Sequence, residues 1–73
     1  MSANLSAETP IRDLRGHPPE VLTKLRALLA EGVELTPDLK RPDFYEVRTE
    51  GLVYYIYVLP TSGKVLLLAT WPA

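Results

Sequence analysis

The chain has 73 residues, no Cys, a single His and eight basic against nine acidic side chains, for a formal net charge of −1. A chain of this length buries only about 60% of its surface around one core, and with disulfides and Cys/His metal frameworks excluded by composition, self-association is the remaining route to further burial. The near balance of charge argues against a long phosphate-neutralising track for nucleic acid, and no stretch reaches the roughly 20 apolar residues of a membrane span.

Residues 1–8 are small, polar and aperiodic, which predicts a disordered tail followed by a single α+β domain over residues 9–73. The tail has neither a basic start nor an apolar run, so no secretory signal is read there and a cytoplasmic protein is expected. In Thr9-Pro10-Ile11-Arg12-Asp13-Leu14-Arg15-Gly16, Thr is a candidate N-cap, Pro suits the first helical position and Gly follows, so the segment reads as a short helical turn with Ile11 and Leu14 on one face.

The main helix is predicted over 18–31. Pro18 and Pro19 suit a first turn, Glu20 the positive end of the helix dipole and Gly32 the left-handed position after the C-cap. Val21, Leu22, Leu25, Leu28 and Leu29 form one apolar stripe. Residues 33–43 are a proline-punctuated connection anchored by Leu35 and Leu39, in which Val33–Leu35 suits a short edge strand. From Phe44 the residues become β-branched and aromatic. Strands at Phe44–Thr49, Leu52–Leu59 and Lys64–Trp71, with turns at Glu50-Gly51 and Pro60-Thr61-Ser62-Gly63, make a three-stranded antiparallel meander under the helix.

A two-residue first turn and a four-residue second turn sort the meander into two faces. One holds Tyr45, Val47, Leu52, Tyr54, Ile56, Val58, Val65, Leu67, Ala69 and Trp71; the other holds Phe44, Val53, Tyr55, Tyr57, Leu66 and Leu68 among Glu46, Arg48, Leu59, Lys64 and Thr70. Both are apolar at their centres, yet one amphipathic helix covers only one of them. Either Ile11, Leu14, Leu35 and Leu39 fold over the second face, or Phe44, Val53, Tyr55, Tyr57, Leu66 and Leu68 form an interface with another copy or a small protein partner.

No catalytic set, cofactor motif or metal site is read from the residues. His17 stands alone before two prolines, Ser62-Gly63-Lys64 lacks the glycines and the helix of a phosphate loop, and the pairs Glu31/Glu34 and Asp38/Asp43 fall in caps and loops. The basic pairs Arg12/Arg15 and Lys40/Arg41 read as solvated loop charges. Arg48 is weighed as an anion contact through its planar fork, against pairing with Glu46 or solvent at a sheet edge.

From Gly32, Leu35, Pro37, Lys40, Tyr45-Glu46-Val47-Arg48, Tyr57 and Val65-Leu66-Leu67-Leu68, residues 20–71 resemble the C-terminal two-thirds of the RelE/ParE superfamily of toxin nucleases. The resemblance implies a ribonuclease. The chain has Val53-Tyr54-Tyr55-Ile56-Tyr57 where those toxins carry a middle-strand Arg, and Ala69-Thr70-Trp71 where they end in basic or His residues. A second likeness, in Phe44-Tyr45-Glu46-Val47 and in Tyr55 through Leu66, is to the PepSY domain; it implies binding or inhibition. The expectation from the residues is a non-catalytic interaction module, a homodimer through the second face, with a divergent or degraded RelE/ParE-type ribonuclease as the alternative.

Overall fold

The computed structural model describes residues 9–73 as β1 (Ile11–Asp13), α1 (Pro19–Ala30), β2 (Thr36–Pro37), β3 (Phe44–Arg48), β4 (Leu52–Val58) and β5 (Val65–Pro72). The expected tail at 1–8 lies outside the described residues. The strands form one sheet in the order β1-β5-β4-β3-β2, in which β1 runs parallel to β5 and every other pair is antiparallel. The α+β class is as expected, and β3, β4 and β5 pair antiparallel in chain order, but the expected three-stranded antiparallel sheet is corrected. The sheet has five strands and is mixed, because both connections flanking the helix add an edge strand.

The N-terminal segment corrects the expected helical turn. Ile11, Arg12 and Asp13 pair with Val65, Leu66 and Leu67, and the ladder continues through Val65 N–H to the Pro10 carbonyl and Leu14 N–H to the Leu67 carbonyl. A lone helical turn fixes several residues for one hydrogen bond, whereas pairing with β5 satisfies a row of them and covers an open edge. Asp13 then turns the chain: its carboxylate accepts the backbone N–H groups of Arg15 and His17. At the other edge the added strand is Thr36–Pro37, pairing with Glu46 and Tyr45, a little beyond the expected Val33–Leu35. A short edge carrying Pro resists further strand addition.

The helix forms as its sequence dictates. Pro18 is the N-cap and Pro19 opens the first turn, where a missing N–H leaves nothing unpaired. At the far end Gly32 has φ +77°, its N–H donates to Leu29 and that of Val33 donates to Leu28, a Schellman closure with Val33 packed on the core. Leu25 and Leu29 are buried against Val47, Tyr54, Ile56, Val58, Val65 and Leu67, all on one sheet face. Arg26 ties the helix to the start of β1 by donating to the Thr9 carbonyl at 2.9 Å.

The register between β4 and β5 changes partway. Val58, Tyr57 and Ile56 face Val65, Leu66 and Leu67 as expected, but beyond them Tyr55 faces Ala69, Tyr54 faces Thr70 and Val53 faces Trp71. Leu68 is the extra residue of a β-bulge, which two turns counted by length alone do not reveal. The slip moves Ala69 and Trp71 off the helix-covered face, where the sequence pattern puts them, and onto the opposite one.

Candidate functional site: the open aromatic face

Among the described residues no helix or second sheet lies over the second sheet face, where Phe44, Tyr55, Tyr57, Leu66 and Leu68 are half-buried and Val53 is buried. Ile11 and Leu35, two of the four residues expected to cover it, pack against the helix-side core, while Leu14 is 51% and Leu39 96% exposed. Of the six residues placed there from the sequence, Phe44, Tyr57 and Leu66 share one row and Tyr55 and Val53 the next two. Leu68, at the bulge, has no partner on β4. Arg12, opposite Leu66, extends the first row to the edge strand.

The aromatics touch in a chain. Tyr57 and Phe44 centroids lie 4.7 Å apart, Phe44 and Tyr55 stack at 5.7 Å, and Tyr55 meets Trp71 at 5.9 Å. Such contacts contribute about 0.5–1.5 kcal/mol each beyond area burial and so favour this arrangement of the rings. Its border is polar and pinned. The Arg41 guanidinium sits 5.5 Å from the Phe44 ring centroid, and the Tyr55 hydroxyl donates to Asp38 Oδ2 at 2.5 Å. That hydroxyl, followed by the Lys40 N–H, holds the Asp38 carboxyl below its ordinary range, and Asp38 in turn raises the Tyr55 phenol.

Arg48, the weighed anion contact, binds Glu46 on its own strand. Its Nε and Nη2 donate to the same Oε1 at 2.8 and 2.7 Å, while the Arg48 side chain remains 66% exposed. These two residues form one wall of a cleft of about 410 Å³ at the end of the face, with Val53 as floor and Trp71 and Pro72 opposite. Ser62-Gly63-Lys64 is a hairpin loop, closed by Gly63 N–H to the Leu59 carbonyl.

His17 is not alone. Its Nδ1 lies 2.8 Å from Asp13 Oδ1, both side chains being largely buried, and this bond is the main cause of the lowered Asp13 pKa. The pair is not legible in the sequence because Gly16 and Pro18 argue against a helix that would make Asp13 and His17 neighbours; a strand followed by a tight turn brings them together instead. Trp71, Arg41 and the Asp38–Tyr55 bond were likewise missed: the first needs the bulge, and the others join residues from different elements. Among the described residues no group of three or more His, Asp or Glu is placed to hold a metal ion, and no helix is long and apolar enough to cross a membrane. Compared with models of known protein families and with curated proteins, the chain matches none. The RelE/ParE and PepSY resemblances therefore rest on the residues quoted for them.

Proposed function

We propose that the chain is a small, non-catalytic protein-interaction module that self-associates through its open sheet face. One observation carries the reading: touching Tyr, Phe and Trp rings, bordered by arginines and partly exposed, lie on the sheet face over which the described residues place no helix or second sheet. Aromatics and Arg are the residues enriched at interface centres, and an ordered aromatic surface loses little conformational entropy on docking. Sedimentation equilibrium or light scattering tests it. A concentration-dependent dimer is expected, and Tyr57→Lys is expected to shift it to monomer with an unchanged circular dichroism spectrum. A monomer at about millimolar concentration, where only interactions weaker than roughly 4 kcal/mol escape detection, would end this reading.

The competing reading, a divergent RelE/ParE-type ribonuclease, needs cations free to meet charge developing on a phosphate. Arg48 is held by Glu46, so it ranks second. Expression in bacteria is expected to leave growth unaffected; arrest that Arg48→Ala abolishes would reverse the ranking.

A further inference from the structure

We infer that the second copy docks with its strands antiparallel to those of the first, about a two-fold axis running across the strands, so that Leu39 of each copy enters the Val53–Trp71 cleft of the other. This rests on the self-association reading and supplies its geometry.

The face has two different ends. Beyond the start of β3 lies the 38–43 connection with Leu39 at its tip, a leucine 96% exposed. That segment is fastened to the open face on either side of Leu39, by Asp38 to the Tyr55 hydroxyl and by Arg41 over the Phe44 ring. At the opposite end, where β3 and β5 finish, is the cleft, whose floor Val53 is buried and whose far wall is the Trp71 indole. An exposed leucine stands at one end, and at the other a hollow whose apolar part, Val53, Trp71 and Pro72, lies beside the Glu46–Arg48 pair. A two-fold axis across the strands exchanges the ends, so both leucines meet hollows at once, as a self-complementary interface requires.

Charge follows the same division. The Leu39 end carries Lys40, Arg41 and Lys64 against Asp38 and Asp43, one positive charge in excess. The cleft end carries Glu46 and Glu50 against Arg48, which is already paired with Glu46. Antiparallel docking lays the basic end on the acidic one, whereas parallel docking sets like on like.

Sedimentation of charge-swapped chains tests the geometry. Leu39→Asp, at an exposed position, is expected to weaken the dimer at least tenfold without altering the circular dichroism spectrum. A chain carrying Lys40→Glu and Arg41→Glu, and a second carrying Glu50→Lys, should each dimerise poorly alone and form a heterodimer when mixed, a rescue that misfolding does not produce. If the unmodified dimer is broken by Tyr57→Lys but tolerates Leu39→Asp and shows no rescue on mixing, the interface stands and the antiparallel arrangement is wrong. If the unmodified chain is a monomer, both fall.

Discussion

Tyr54 and Tyr55 are consecutive residues of β4 that meet different worlds. Tyr54 is 1% exposed beneath α1, where burial raises its phenol pKa. Tyr55 points to the uncovered face, stacks on Phe44 and gives its proton to a hydrogen bond with Asp38. Strand alternation sends successive side chains to opposite faces, but only the presence of a packed layer makes one face a core. The covered face takes its order from Leu25 and Leu29, the open one from contacts among its own aromatics and the pinned loop at its border. A sheet face without a helix over it can thus still be held by contacts of its own.

The contrast is broken most severely at Ile56 and Tyr57, adjacent residues on opposite faces. Ile56→Lys puts an unpaired charge at a position 0% exposed, a loss of several kcal/mol against a total of about 5–15, so the helical and strand signals in circular dichroism should disappear. Tyr57→Lys leaves them intact; if both variants unfold, the two faces are equally load-carrying and the comparison fails. Phe44→Ala removes the ring that joins Tyr57 to Tyr55 and should lower unfolding stability by about 1–3 kcal/mol in urea titration, less than the 3–5 typical of a core Phe. Gly63, at φ +71° in the loop between β4 and β5, is a control indifferent to either face: Gly63→Ala should cost about 1–2 kcal/mol from backbone strain alone.

The smallest effect is acid. Asp13, held by His17 at the covered side, and Asp38, held by Tyr55 at the open side, both have pKa values lowered from the ordinary 3.8. A carboxylate depressed in the folded state contributes stability that is complete above its unfolded value and is lost as pH falls through the folded one. Melting temperature should therefore drop below about pH 4, and Asp13→Asn or Asp38→Asn should each flatten that drop. A decline beginning near neutral pH would point to a different group.

The sequence made the helix legible because its signals agree: Pro18 and Pro19 at the start, a leucine stripe, Gly32 at the end. The meander and the first hairpin's register were equally plain, since Glu50-Gly51 leaves no alternative phase for Val47 opposite Tyr54. What escaped depends on partners distant in the chain. Ile11–Asp13 becomes a strand only because β5 offers an edge, and no local pattern in three residues reports that. The Leu68 bulge inserts one residue amid a run of apolar ones, where alternation has no polar mark to betray a slip, so simple alternation puts Trp71 on the wrong side. For the candidate site, the aromatic row was visible as a surplus of apolar surface, while its fastening by Asp38 and Arg41 was not.

The pairing of β1 with β5 also sets the order in which this molecule is able to form. Asp13 and Leu67 become neighbours only across the whole helix and meander, and closing a flexible loop of about 50 residues costs roughly 3.5 kcal/mol of chain entropy before any contact repays it. The meander, whose strands are joined by short turns, is the local nucleus, and α1 has no surface to pack on until that nucleus exists. During synthesis β1 must wait for β5. Its docking completes the sheet, so the β1 segment should be the most readily released by local opening and the first to exchange its amide hydrogens.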